Sequence, residues 1–265
     1  MLLMRRLILI ICFSLPVFFA QSQTWEVGVS AGATGYMGDI NPVKLYKFTD
    51  PAFGAQFKRN FNGHWSAKAS FMQGRIQGDD AKSSNTYQID RNLHFRSTIS
   101  ELSLQIEFNL FNYLPGGLPG FGSRKFSPYI FTGVGAVAFN PVADYNGSET
   151  ELRPLQTEAV EYKKNALSIP YGAGAKYNIK GNWNIIGEIG FRTALTDYLD
   201  DVSGRYPDFT SNTPASTISP ALSDRSISQS GLPGVQRGDF RPKDTYIFTA
   251  ISLTYTFVSI KCPTF

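Results

Sequence analysis

The chain has 265 residues, of which 14% are aromatic and only 17% charged, with a mean hydropathy of −0.15. Those values exclude a bundle of membrane-spanning helices and suit an all-β protein rich in turns, with 24 Gly and 15 Pro. The net charge of +4 includes Arg5 and Arg6, which sit in a segment expected to be removed; without them 23 basic residues face 21 acids, too small an excess for a nucleic-acid partner.

Residues 1–22 read as a secretory signal peptide. Arg5 and Arg6 form its basic start, Leu7 to Phe19 its apolar core, and Ala20-Gln-Ser22 the small residues of a cleavage site. The apolar run is short for a bilayer span. Cys12 falls inside this segment, so the remainder, 23–265, keeps Cys262 alone and forms no internal disulfide.

The first strand is expected over Trp25 to Tyr36, where Trp25, Val27, Val29, Ala31 and Ala33 alternate with Glu26, Gly28, Ser30 and Gly32. The second, Ala52 to Phe61, sets Phe53, Ala55 and Phe57 against Gln56 and Lys58, with Arg59 on the apolar side near the end. Asn62-Gly63 is a hairpin turn. The third strand follows from Trp65 to Met72, with Lys68 on its polar face, and Gln77 to Asn92 is a charged loop. The fourth, Ser100 to Leu110, alternates most cleanly: Leu102, Leu104, Ile106 and Phe108 against Glu101, Ser103, Gln105 and Glu107. Phe111 to Ser127 contains Leu-Pro-Gly-Gly-Leu-Pro-Gly, too rich in Gly and Pro for regular structure.

A fifth strand covers Pro128 to Phe139, small or apolar on both faces, so its inward side stays open. Asn140 to Asn165 reads as a long charged connection. The sixth strand, Ala166 to Ile179, and the seventh, from Trp183 to Arg192, flank the turn Lys180-Gly-Asn182 and carry Lys176, Glu188 and Arg192 on their polar faces. Thr196 to Lys243 is the longest connection, expected to be largely mobile. The eighth strand, Thr245 to Phe257, shows Ile247, Ile251, Leu253, Tyr255 and Phe257 on one face and ends on an aromatic.

Connections alternate between short or compact and long, the pattern of an even-stranded antiparallel barrel with both ends on one side. The expected fold is therefore all-β: an eight-stranded transmembrane β-barrel of the OmpA/OmpX-like type, in the outer membrane, with long extracellular loops and periplasmic termini. The apolar faces turn to lipid, and Trp25, Trp65, Trp183 and Phe257 form an aromatic girdle at the turn-side ends. The polar faces turn inward, where Glu26, Glu101, Glu107 and Glu188 can pair with Lys58, Lys68, Lys176 and Arg192. Eight strands leave room only for side chains, so a filled lumen is expected rather than a pore.

Motifs for catalysis are sparse. His64 and His94 fall at opposite ends of the expected barrel, and only His94 is a candidate base near the outer rim. Asp197, Asp200 and Asp201 form an oxygen-rich cluster whose spacing matches no calcium loop, and they read as solvated loop charges. Arg237-Gly-Asp239 is a chance-level tripeptide. Gly133, Gly135, Gly172 and Gly174 suit close packing in strands. No enzyme activity, cofactor, metal or small-molecule substrate is expected.

Four stretches carry a resemblance: Tyr36-Met-Gly-Asp-Ile-Asn-Pro42, Pro128 to Pro141, Ser168-Ile-Pro-Tyr-Gly-Ala-Gly174 and Thr196-Asp-Tyr-Leu-Asp-Asp-Val-Ser203. With the closing strand and Cys262-Pro263, they resemble the PorG-like outer-membrane barrels of Bacteroidota. The resemblance implies a non-enzymatic structural or anchoring component of the type IX protein secretion and gliding motility apparatus, linking the outer membrane to a periplasmic lipoprotein and its ring partner. The turn carrying Leu114, Pro115, Leu118, Pro119 and Phe121 is the candidate partner contact, because it is the one inner connection larger than a tight hairpin. Alternatives are a generic small barrel that binds at the surface or conducts weakly, and an outer-membrane lipid-modifying enzyme.

Overall fold

A computed structural model describes residues 24–41, 48–114, 123–211 and 213–258. The signal segment, the turn residues Pro115, Leu118, Pro119 and Phe121, and Cys262 lie outside the described residues. The strands are β1 (Thr24–Met37), β2 (Phe48–Asn60), β3 (Trp65–Asp79), β4 (His94–Asn109), β5 (Phe126–Tyr145), β6 (Ser148–Glu151), β7 (Asn165–Lys180), β8 (Trp183–Ala194) and β9 (Thr245–Phe257). Two short helices, α1 (Thr86–Arg91) and α2 (Ser219–Ser223), lie in connections.

The ladder runs β4-β3-β2-β1-β9-β8-β7-β5, and β4 pairs in turn with β5. It closes on itself as an eight-stranded antiparallel barrel, which removes the exposed strand edges of an open sheet. β6 is an addition outside the ring, pairing with Val142 to Tyr145 at the far end of β5.

The alternation along β4 settles which side is which. Leu102, Leu104 and Ile106 are 63%, 63% and 55% exposed, whereas Glu101, Ser103, Gln105 and Glu107 are at most 2% exposed. A water-soluble barrel would invert that order. Val29, Phe53, Phe57, Phe71, Ile130, Val134, Leu167, Ile189 and Ile251 continue the outward apolar band around the wall. Each strand contributes roughly nine residues to the band, about 25 Å of height once tilt is included, the thickness of a barrel's lipid-facing belt. This is a transmembrane barrel. β5, ambiguous in sequence, turns Tyr129, Phe131, Val137 and Phe139 inward.

Opposite the turns, several strands rise beyond the band. Gln73 and Arg75 on β3 and Thr98 on β4 are exposed there, and β3 and β4 extend past the expected limits at Met72 and Ser100. The reason is that the outward face becomes polar at this level while the inward face becomes apolar, so the simple pattern breaks without the strand ending. Ile76, Phe95, Ile99, Phe139, Ala143 and Phe248 form an apolar core in this upper tier.

Two further expectations are corrected. The connection Asn140 to Asn165 contains the β5–β6 hairpin, turned by Asn146 and Gly147, both at positive φ. The connection Thr196 to Lys243 is a packed cap over the barrel mouth: Leu199, Val202 and Leu222 join the upper core, and Tyr206 and Arg237 are buried. Its polar composition hid a few well-spaced apolar anchors.

The lipid-facing assignment has a direct consequence. Leu104→Arg, at the middle of the band, is expected to destabilise the barrel in lipid vesicles by ~2–4 kcal/mol, and Thr98→Arg, above it, by no more than ~1 kcal/mol. Equal costs in denaturant unfolding would refute the placement of the band.

Candidate functional site

Eight inward charges meet in the membrane-spanning half of the lumen. Glu107 of β4 is the hub: its carboxylate lies 3.2 Å from Lys58 Nζ of β2, 3.3 Å from Lys68 Nζ of β3 and 2.5 Å from Lys176 Nζ of β7. Lys68 also reaches Glu188 of β8 at 2.5 Å, and Lys58 lies 3.7 Å from Glu26 of β1. Arg192 joins Glu188 at 3.6 Å to Glu101 at 3.5 Å. Every one of the eight sequence-predicted lumen residues therefore belongs to one connected, formally neutral cluster.

Register explains the hub. Lys58 and Lys68 face each other across β2 and β3, a repulsive pairing on its own. Glu107 sits opposite Ser66 on the next strand and answers both. Seven of these residues are at most 3% exposed, and only Glu188 reaches 13%. The lumen is thus a solid plug at this level.

Aromatics missed in the sequence complete it. Tyr129 donates to Glu188 at 2.7 Å, and its ring lies 4.5 Å from Lys176 Nζ. Tyr246 donates to Glu101 at 2.5 Å. Phe131 and Phe248 lie 4.9 Å from Lys68 Nζ and from the Arg192 guanidinium, within cation–π range. Room for these rings comes from glycines on β7 and β8. A Cβ at Gly174 would stand 2.6 Å from Tyr129 Cε1, and one at Gly172 2.9 Å from Phe131 Cζ. The signal available in sequence was the inward phase of those glycines beside an apparently two-faced fifth strand.

At the turn end, Trp25, Trp65, Trp183 and Phe257 are all exposed around the rim. The Arg59 guanidinium lies 4.9 Å from the Trp25 ring, so its charge sits among girdle aromatics. Beneath them Tyr113 is buried and donates to Asn184 Oδ1 at 2.9 Å, closing the lumen from below. Leu114 marks the start of the candidate partner turn; its amide donates to Ser123 Oγ at 2.9 Å, and Arg124 N donates to Asn112 O at 2.8 Å, so the base of that turn is cross-linked.

At the opposite end two buried arginines tie four connections together. Arg91 bonds both oxygens of Asp80, at 2.7 and 2.9 Å, and the carbonyl of Asp39 at 2.9 Å. Arg237 bonds Glu158 at 2.9 Å and the carbonyls of Asp201 and Ser223 at 2.7 and 3.1 Å. Its burial takes Arg237-Gly-Asp239 out of any integrin-like display. His94 lies on this rim, where Asp144 N donates to its Nε2 at 3.3 Å and Arg225 stands 3.2 Å away. At the other end, His64 Nδ1 is 3.0 Å from Asn109 O.

The aspartates read as solvated are not. Asp200 and Asp201 are each 1% exposed, and Asp197 is half-buried. Asp201 accepts from Thr157 and Tyr162, both at 2.5 Å. Asp200 accepts from Tyr36 Oη at 2.5 Å, and the same hydroxyl lies 3.1 Å from Asp244. Burial pushes Asp39 up to about 9, Asp200 to about 7 and Asp197 to about 6; Asp244 is also held well above the usual carboxylate range, by burial and then by the charges of Asp200 and Asp39. For Asp200, bonds from Tyr36 and Val202 and the nearby Arg91 work against burial.

The lumen makes a quantitative demand. Glu107→Gln leaves three buried lysines without their common carboxylate and is expected to destabilise the barrel by ~3–5 kcal/mol. Adding Lys176→Met should return part of that loss, because one of the orphaned charges is gone. A cost below ~1 kcal/mol in urea unfolding would show that the cluster does not hold the wall together.

Comparison with solved structures finds small outer-membrane barrels. The attachment invasion locus protein Ail of Yersinia pestis is 13% identical, with a TM-score of 0.39, over 89% of this chain and 97% of that one. Neisserial surface protein A is 8% identical, with a TM-score of 0.41, over 89% and 100%. Outer membrane protein W of E. coli is 14% identical, with a TM-score of 0.37, over 90% and 100%. No curated protein matches the sequence. The model of one family, described as Domain of unknown function (DUF6089), matches residues 4–215, most of the strands and the first part of the cap. The chain belongs to the DUF6089 family.

Proposed function

We propose that this protein is a non-enzymatic anchor in the bacterial outer membrane, with its turns and termini in the periplasm and its capped mouth outside. The observation that carries the reading is the salt-linked plug: a lumen packed with neutralised charges and stopped at both ends offers a wall and surfaces, not a passage. The resemblance to PorG-like barrels extends the proposal to the type IX secretion and gliding apparatus. In that setting the barrel holds a periplasmic lipoprotein and its ring partner against the outer membrane. Short turns, the start of β1 and the end of β9 at one rim support the orientation, since barrels of this kind keep short turns periplasmic.

The turn with Leu114, Pro115, Leu118, Pro119 and Phe121 is the proposed contact, an apolar sequence whose flanking residues form a cross-linked base. Crosslinking in intact cells followed by identification of the captured proteins tests this directly. Removing residues 115–122 should abolish capture of the periplasmic partner while the barrel keeps its heat-modifiable migration on gels. Capture unchanged by the deletion would reject the turn as the contact, and capture of no periplasmic protein by the intact chain would reject the anchor.

A channel reading separates cleanly. Purified protein in planar bilayers should show no discrete conductance steps; stable steps would mean the plug opens.

A further inference from the structure

Two of the stretches that stood out in the sequence come together at the base of the cap, through Tyr36 to Asn41 of the one and Thr196 to Ser203 of the other. They bring Asp39, Asp197 and Asp200 beside Asp244, the residue before β9. Among the described residues, the buried cations of the cap are Arg91 and Arg237, and their carboxylate partners are Asp80, Glu158 and Asp201. The same molecule that balances its lumen charge for charge leaves these four carboxylates together.

The geometry is that of a ligand set. Carboxylate oxygens of Asp39, Asp197 and Asp244 all lie within 4.8 Å of one another. Asp39 is 1% exposed, and its Oδ2 is buried with no hydrogen-bond partner among the described residues. An acceptor of that kind, on a carboxylate grouped with two others, lacks a cation or a proton. Its other oxygen takes the Asp239 amide, and its carbonyl takes Arg91 and Gln88, so the carboxylate is held in place before anything binds. Asp197 is fixed by Ser203 Oγ at 2.7 Å, and Asp244 by the Leu199 amide at 2.9 Å. Gly38 makes the approach possible, because a Cβ there would collide with Asp244 and the Tyr36 hydroxyl.

We propose that the cap binds one divalent cation between Asp39, Asp197 and Asp244, and that the ion is Ca²⁺. Hard oxygen donors exclude soft-metal chemistry, and Ca²⁺–oxygen bonds of about 2.3–2.6 Å span up to about 5 Å across the ion, which accommodates oxygens lying within 4.8 Å of one another. Mg²⁺, with bonds of about 2.0–2.1 Å in strict octahedral geometry, dehydrates reluctantly and is held by one or two carboxylates rather than by three, so the donor set favours Ca²⁺. Asp200, through Tyr36, orients Asp244 rather than coordinating. The ion fastens the β1–β2 connection to the β8–β9 connection, clamping the cap to the barrel mouth.

The test uses the mature protein folded in detergent micelles, stripped with EDTA and titrated with CaCl₂ by calorimetry, alongside thermal unfolding in both states. One Ca²⁺ per chain is expected, with a higher unfolding midpoint in Ca²⁺ than in EDTA. Asp39→Asn should weaken binding by at least about tenfold, yet be no less stable than wild type in EDTA, since it removes a charge from a crowded cluster. Asp197→Asn, at a half-buried position, gives the same readout if Asp39→Asn does not fold, and Asp208→Asn, on an exposed turn, should bind as wild type. Identical unfolding midpoints in saturating Ca²⁺ and in EDTA, with no heat of binding, would overturn the proposal and assign the cluster to shared protons. Preference for Mg²⁺ over Ca²⁺ would overturn the choice of ion.

Discussion

The constraint behind this structure is the cost of taking charge out of water inside a narrow closed wall. Eight strands leave no aqueous channel to solvate an ammonium or a carboxylate. Each of the eight lumen charges must therefore find its counter-charge on another strand, and the chain supplies four of each sign. Glu107 matters most because three strands besides its own depend on it. Attraction in such a site does little more than offset desolvation. The gain is in specificity: only one register of β2, β3, β4, β7 and β8 neutralises every member. Sliding any of them by one residue would also turn its charges to lipid.

Much of this was legible in the sequence. Period two placed Glu101 and Glu107 on one side of the fourth strand and Leu102, Leu104 and Ile106 on the other. The length of the connections then argued for a barrel with both ends on one rim. The fifth strand could not be read, because its inward residues Tyr129 and Phe131 are aromatic where the facing positions are Asn109, Glu107, Gly174 and Gly172. Tyr129 and Phe131 make sense only once Gly172, Gly174 and Gly190 are seen across from them. That is information held between strands, invisible along any one of them.

The cap shows a different kind of blindness. Thr196 to Lys243 has the composition of a flexible segment, yet Leu199, Val202 and Leu222 are anchored in the apolar tier that the strands raise above the lipid band. Sequence reading treated Asp197, Asp200 and Asp201 as a local run and found no known loop. Asp197 and Asp200 take their environment instead from Tyr36, Asp39 and Asp244, at the adjoining ends of neighbouring strands β1 and β9, and Asp201 takes its own from Thr157, Tyr162 and Arg237. Clusters assembled by topology carry no signature in spacing.

The closing seam between β1 and β9 has a consequence for how the protein is made. Strands β1 to β4 by themselves bring three acids and two bases to the interior, and the compensating bases arrive only with β7 and β8. A half-assembled wall would hold unmatched charges beside hydrocarbon, with a raw edge awaiting its final strand. Nothing short of the whole polypeptide is electrically self-sufficient. Insertion is therefore expected to be a late, cooperative event, in which β9 closes against β1 once every lumen charge has its partner.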